Sequence, residues 1–548
     1  MTANIVFFLN LFAFFVISFV NGVIIHTKQG SLKGFVSQSR NGRPFYSFHS
    51  VPYAEPPLGN LRFANPVPAK PWEGVKDATI ESPICINEAF GHLSGQEDCL
   101  YLNVYTPKIT NETLLPVMVY TYGGRFLFGN ARSHQYGAHY FMDRDVILIT
   151  FHYRLGVFGF LSTEDEIIPG NYGLKDEVAV LEWVQKYIDD FGGDKNRVTL
   201  FGGSSGGISV SLTLVSPLAK GLFHGIISQS GHPFDMEKPG KAKLNAWKLA
   251  SAVGCNGDYV KITEELLHCL RKIPADDLAV QVKSFFRMGS LLPAFPFGPV
   301  IENEKTPGAF LVDEPRKLLE RKSSIPWIMG MNADEGGMMA LFAYYGYYSL
   351  GSLSQEFDTN YRKYFPEIFR YIHHVDPKQL DTVTEKYKTY YFGDKIISEN
   401  IHGLAKMFTS LIYVAGIKEA VKLYKGPKFV YYYDHKNKES FAKMYAANTD
   451  LQMGIIHGDE LISLYNWSSV ITPVTEGVDL TVSEQMLDLW TNFAATGDPN
   501  YQDRRIWDPV ESSTINYLHI KNGELETKQE FLKSEFDFLD SVPIDGYF

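Results

Sequence analysis

Short apolar runs rich in Val, Ile and aromatic residues recur along the chain at 117–121, 146–151, 198–201, 225–230, 325–331 and 429–433. Each lacks the alternation of a half-exposed strand, so the pattern predicts strands buried on both faces. Between two of them, Leu174, Val178, Leu181, Val184 and Ile188 recur at helical spacing. They put one apolar stripe on a helix that Gly192 and Gly193 close. Strand, helix and strand in succession imply a parallel sheet. Toward the C-terminus, Ser483 is placed to cap a helix carrying Met486, Leu487, Trp490 and Phe493, which stops before Gly497. No repeat, low-complexity tract or linker divides the chain, so the pattern predicts one large α/β domain with insertions.

Of the 548 residues, 45% are hydrophobic, ample for a large core. The net charge of −11 comes with no run of Lys or Arg, which argues against a nucleic-acid partner. Residues 5–20 form an apolar stretch interrupted only by Asn10 and Ser18 and followed by Asn21 and Gly22. It is shorter than a membrane span and reads as a secretory signal over residues 1–22, with the working domain over 23–548. The expectation is therefore an extracellular protein with no stable membrane anchor, monomeric or homodimeric.

In an exported chain the four cysteines are expected to oxidise, with three connectivities open. Ease of short-loop closure favours Cys85 with Cys99 and Cys255 with Cys269 over distant pairings, the alternative being four buried free thiols. Asn111 and Asn466 begin glycosylation sequons.

The run at 198–201 leads into Gly202-Gly203-Ser204-Ser205-Gly206, a G-x-S-x-G pattern between a strand and a new helix. A sharp turn there forces the serine into a strained conformation with its hydroxyl projecting, and only small neighbours fit. A phosphate-binding loop is the competitor, but its lysine is missing and the spacing is wrong. A serine nucleophile needs a base, a group to orient that base, and backbone donors for the oxyanion. Tyr122-Gly-Gly-Arg-Phe126 follows a strand, so Gly124, Arg125 and Ser205 are the expected donors. Glu335, at the end of the run at 325–331, is the expected orienting acid, and His457 the general base. The order Ser, acid, His is the one used by α/β-hydrolases. Alone, a single Glu or His is more often a surface or core residue; the joint pattern carries the reading. No cofactor or metal is called for. HExxH and paired CxxC motifs are absent, and His373-His374 reads as a solvated pair.

These residues make the chain resemble the type-B carboxylesterase and cholinesterase family, and within it the secreted carboxylesterases of insects. The likeness runs from about Val23 to the C-terminal helix. It rests on Glu97-Asp-Cys-Leu-Tyr-Leu-Asn103, His152-Tyr-Arg-Leu-Gly-Val-Phe-Gly159, Gly170-Asn-Tyr-Gly-Leu-Lys-Asp176, the serine turn, 332–336 and 454–460. The resemblance implies an α/β-hydrolase fold and hydrolysis of small-molecule carboxylic esters through an acyl-enzyme. It assigns Ser204, Glu335 and His457 to the triad, and Gly124, Arg125 and Ser205 to the oxyanion hole. It also implies both local disulfides, a bond from Ser230 to the triad acid, an acyl pocket at Phe295 and Phe297, and structural ion pairs of Arg62 with Glu97 and Arg154 with Asp176.

Three departures bear on activity. Gly203 stands where the family usually has Glu, and Gln in juvenile hormone esterases; losing a group that can organise water implies slower deacylation. Arg125 replaces Gly or Ala in the hole. Its guanidinium is either idle, or narrows the pocket, or meets an anionic group or the departing alcohol. The loop from Cys85 to Cys99 carries no Trp, which leaves no clear cation-π seat for a quaternary ammonium. The competing reading is a weakly active or non-catalytic relative used for sequestration or adhesion. Tyr344, Tyr345, Tyr347 and Tyr348 are either packing or the wall of a gorge.

Overall fold

The structure is a computed structural model. It describes residues 22–544 apart from 90, 111, 237, 258–259, 288–290, 292–294, 347–351, 446–450, 503 and 512–513. The expected signal, but for Gly22, and the sequon residue Asn111 therefore lie outside the described residues.

The six apolar runs form strands, and further strands join them in the same sheet. In chain order these are β1 (Gly22–His26), β2 (Ser31–Gln38), β3 (Pro44–Pro52), β4 (Tyr101–Thr106), β5 (Leu115–Thr121) and β6 (Ile147–Phe151). They continue with β7 (Gly193–Gly203), β8 (Gly225–Gln229), β9 (Trp327–Asn332), β10 (Lys428–Tyr433), β11 (Tyr517–Lys521) and β12 (Glu524–Lys528). Their order in one sheet is β1-β2-β3-β4-β6-β5-β7-β8-β9-β10-β11-β12. From β6 to β11 every pairing is parallel, and the first strands and β12 pair antiparallel. All seven residues of β5 and all six of β9 are buried, as strands covered on both faces require.

Register positions the site. On β7, Gly202 lies opposite Thr121 of β5 and Gly203 opposite Gln229 of β8, while Gln229 lies opposite Gly330 of β9. The carboxyl ends of these four strands thus share one edge, and residues 122–125, 204, 230 and 333–335 leave the sheet there. In open α/β sheets that edge is where ligands bind.

Helices flank the sheet. The predicted stripe forms α1 (Tyr172–Tyr187), which passes into a short tighter turn and ends at Gly192 with φ 84°. The helix α2 (Ser205–Thr213) follows the serine turn and packs on β7 and β8. Buried between α1, α2 and β5, Glu177 accepts hydrogen bonds from Thr121 Oγ1 at 2.6 Å, Ser209 Oγ at 2.8 Å and Thr213. Further along come α3 (Gly337–Tyr345), α4 (Ile401–Phe408) and α5 (Gly477–Thr496).

Ser483 does not cap a helix: α5 begins at Gly477, and Ser483 lies inside it, fully buried. Its hydroxyl donates to Ser463 O at 2.6 Å and accepts from Arg40 Nη1 at 2.7 Å, so tertiary partners satisfy a group that would otherwise favour a cap. The C-terminal end does stop at Gly497, with φ 78°.

Cys85 is bonded to Cys99 and Cys255 to Cys269. Arg62 ties the two closed loops together. It makes a two-armed pair with Glu97 at 2.5 and 2.6 Å, and its remaining arm donates to Ile273 O at 2.6 Å, just past Cys269. Arg154 pairs with Asp176 through Nε at 2.8 Å and Nη2 at 2.7 Å, and it donates to Ala64 O at 2.7 Å. Both partners are buried, so removing one strands the other's charge. Arg154→Met should therefore cost about 3–5 kcal/mol of stability, seen as a lower thermal midpoint, and Arg154→Met with Asp176→Leu should recover a large part of it.

Candidate functional site

Ser204 sits at the junction of β7 and α2 with φ 58° and ψ −127°, a conformation L-residues avoid. Its neighbours explain how the turn closes. A Cβ at Gly206 would lie 2.0 Å from Thr121 O, and one at Gly202 2.6 Å from the same atom. Ser204 N donates to Gln229 O at 2.8 Å, and Ser204 O accepts from Ile208 N at 3.0 Å, which fixes the turn on both sides.

The loop after β5 passes directly over the serine. A Cβ on Gly123 would fall 2.8 Å from Ser204 Cβ, so only glycine allows this approach. Gly124 has φ 125°, while Arg125 and Phe126 both have φ 59°. Gly124 O accepts from Leu127 N and Phe128 N, and Phe126 N donates to Ser205 Oγ at 3.3 Å, which clasps the loop to the first residue of α2. Ser205 opens α2, so its N–H has no carbonyl a turn earlier to meet and belongs to the positive end of that helix. Gly123, Gly124, Arg125 and Ser204 border one cavity.

Glu335 lies in the turn between β9 and α3 and is fully buried. It accepts hydrogen bonds from His457 Nδ1 at 2.5 Å, Asn332 N at 2.7 Å and Ser230 Oγ. The segment carrying His457 is tied to the same turn. Asp334 N donates to Ile455 O at 2.9 Å, Ile455 N donates to Asp334 Oδ2 at 3.0 Å, and Asn332 Nδ2 donates to Ile456 O at 2.8 Å. Behind it, Asp459 accepts from Ile456 N and Phe441 N at 3.1 and 2.9 Å. Burial opposes a charge on His457, but Glu335 overrides it, and the histidine pKa stands above its ordinary value. Burial raises the Glu460 carboxyl to about 7.

A single turn of wider π-helix, 409–414, presses Tyr413 to 5.2 Å from the His457 ring, while Thr409 Oγ1 accepts from Gly336 N at 2.9 Å. Such turns gather at functional sites, and nothing in the hydrophobic pattern marks this one.

Two cavities meet at Ser204, Ser230, Arg125 and Met338. The larger, about 310 Å³, also contains His457 and Gly203, with walls built largely from Tyr136, Phe342, Phe441, Tyr445 and Trp467. None of these wall residues was expected from the motifs, although Trp467 lies close after His457 and Tyr136 close after the glycine loop. The smaller, about 90 Å³, holds Phe295. Phe297 is not among the described residues lining either; it is buried against Phe285, ring centres 4.9 Å apart. Tyr344 and Tyr345 line neither cavity: Tyr344 donates to Ile397 O and Tyr345 is exposed. Tyr347 and Tyr348 lie outside the described residues. Asn466 is half-buried beside Trp467. Gly203 is not imposed by the backbone, because a Cβ there would meet Leu461 and Tyr120 Oη only at 3.5 Å, an ordinary contact.

The profile of the carboxylesterase family matches residues 21–539. A juvenile hormone esterase of Tribolium castaneum is 34% identical over 95% of this chain and 92% of that protein. Esterase FE4 of Myzus persicae is 35% identical over 93% of this chain and 92% of its own. Among solved structures, the juvenile hormone esterase of Manduca sexta, crystallised with OTFP covalently attached, superposes with a TM-score of 0.83 at 26% identity, covering 95% of this chain and 99% of that one. This chain accordingly belongs to the carboxylesterase family and is a carboxylic ester hydrolase acting on small-molecule esters.

Proposed function

We propose that the protein is a secreted serine carboxylesterase in which Ser204 is the nucleophile, His457 the general base and acid, and Glu335 the group that orients the histidine. One observation carries the reading: Glu335 holds His457 Nδ1 at 2.5 Å, which leaves the other ring nitrogen for the cavity that also contains Ser204. In this mechanism His457 Nε2 takes the proton of Ser204 as Oγ attacks the ester carbonyl. The oxyanion is met by the N–H groups of Gly124, Arg125 and Ser205. His457 returns the proton to the leaving alcohol, and water activated by the same histidine then releases the acid from Ser204. Ser230 and the Asn332 N–H steady Glu335 throughout.

The aromatic walls of the larger cavity favour an ester with a bulky apolar group. The covalent attachment of OTFP in the Manduca sexta esterase supports a nucleophilic centre in this fold. Export rests on the apolar N-terminal stretch and the sequons, and the two disulfides agree with it. Among the described residues no helix is long and apolar enough to cross a membrane. A monomer or homodimer is the proposed state.

A fluorophosphonate probe should label the protein and Ser204→Ala should not, with ester turnover falling by at least about 10⁴-fold. Labelling that survives in Ser204→Ala would overturn the assignment. The pH profile follows from the raised pKa of His457. Only the neutral imidazole accepts the serine proton, so kcat/KM should fall as pH drops through a midpoint above the ordinary histidine value. Glu335→Gln should move that midpoint to lower pH as well as reduce kcat. A Cβ at 203 meets only ordinary contacts and the residue borders the larger cavity, so Gly203→Glu should speed breakdown of the acyl-enzyme in pre-steady-state kinetics, by up to about 100-fold if the carboxylate acts as a general base on water.

A further inference from the structure

The wider turn at 409–414 touches the site at several points. Thr409 Oγ1 accepts from the N–H of Gly336, the residue after Glu335, at 2.9 Å, and Tyr413 lies 5.2 Å from the His457 ring. Ile412 O bonds His232 Nε2 at 2.7 Å. A Cβ at Gly336 would lie 2.0 Å from Ala405 O and 2.5 Å from Thr409 N, so the turn that carries Glu335 is in direct backbone contact with the end of α4. Leu411, Ile412 and Tyr413 also form part of the wall of the smaller cavity, which Ser204 borders.

Ser410 leads elsewhere. Its hydroxyl donates to Glu535 Oε2 at 2.9 Å. Glu535 belongs to α6 (Lys533–Ser541), is buried, and is not among the described residues lining either cavity. The same carboxylate accepts from Tyr391 Oη at 3.4 Å and Tyr390 Oη at 3.3 Å, both on the helix Leu380–Phe392, and pairs with Lys406 Nζ of α4 at 3.0 Å. Phe538, one turn further along α6, stacks on the Tyr390 ring with centres 3.5 Å apart. A buried carboxylate is tolerated where donors converge on it, so Glu535 fixes these donors relative to one another. Among them Ser410 is the one that belongs to the wider turn. Such turns are rare because they break regular helix spacing, and this one persists where side chains hold it.

We propose that Glu535, through Ser410, is a positioning residue for the smaller cavity. It holds the wall formed by Leu411, Ile412 and Tyr413 against the space beside Ser204, and so limits the length of the ester substituent that enters there. This rests on the assignment of Ser204 above.

The test measures kcat/KM for 4-nitrophenyl butanoate and octanoate, which differ at the acyl end, and for ethyl and octyl acetate, which differ at the alcohol end. A contact that serves stability alone changes the fraction of active enzyme and scales every ester alike, so the short-to-long ratio is blind to it. Ser410→Ala should lower that ratio by about tenfold in one of the two series, the scale of a lost charge-assisted hydrogen bond, and Glu535→Gln should lower it in the same series. Lys406→Met removes a mainly exposed partner of Glu535 but leaves the bond to Ser410, and should keep both ratios. Ratios that Ser410→Ala leaves unchanged in both series overturn the proposal, as does a change in Lys406→Met equal to that in Ser410→Ala. Because both substitutions act on one bond, the double variant should change the ratio no more than Ser410→Ala alone, and additive effects overturn the positioning role. Should Ser410→Ala not fold, Glu535→Gln decides by the same ratio. No turnover of any ester by the unaltered protein, with no fluorophosphonate labelling, would defeat the assignment of Ser204 and this proposal with it.

Discussion

A single buried carboxylate holds together three segments that are remote in sequence. Glu335 takes hydrogen bonds from the turn that carries it, from Ser230 at the end of β8, and from His457, more than a hundred residues further on. Charge in such a place is costly unless donors surround it, and the three donors offset that cost while fixing the carboxylate in one orientation. The imidazole inherits that orientation. Its backbone is fastened to the same turn through Asp334 and Asn332, so the histidine cannot drift without breaking bonds to β9. The imidazole is thus positioned by the sheet although it stands on a loop.

The serine depends on the sheet in a different way. β7 ends beside Thr121 and Gln229, and the chain must turn within the width of one strand to start α2. Close backbone approach at Gly202 and Gly206 makes that possible, and Gly123 lets the neighbouring loop reach Ser204 from above. Parallel register therefore does two things at once. It aligns the strand ends that carry the serine, the acid and the candidate oxyanion loop, and it forces small residues where those segments meet.

Strands β5–β10 were legible because each is a compact apolar run bounded by Gly, Pro or polar residues, and the serine turn because its glycines are sterically required. The candidate site residues Ser204, Glu335 and His457 could be named because each stands in a short motif at the end of such a run. Strands β1–β4, β11 and β12 were not read, since polar residues interrupt their apolar ones and leave no compact apolar run. Ser483 misled because a helix interior and a helix cap look alike when a hydroxyl finds a tertiary partner. Phe297 and the 344–348 tyrosines share a cause. Aromatic side chains signal burial without saying whether the buried face meets core or cavity, and only the assembled packing separates Phe295 from Phe297.

The two departures from the family pattern around Ser204 act in the same electrostatic direction. Where the resemblance implies Glu, Gly203 removes a negative charge, and where it implies Gly or Ala, Arg125 adds a positive one. Neither is demanded by the fold, for a side chain at 203 would find ordinary contacts, and Arg125 adopts a left-handed backbone that glycine would hold more easily. A loss of structural constraint would scatter such changes without regard to sign. Instead both changes are toward positive charge beside the serine, and Glu460, which borders the larger cavity, is itself pushed toward neutrality by burial. A more positive surrounding favours the negative charge that develops on an ester oxygen under attack.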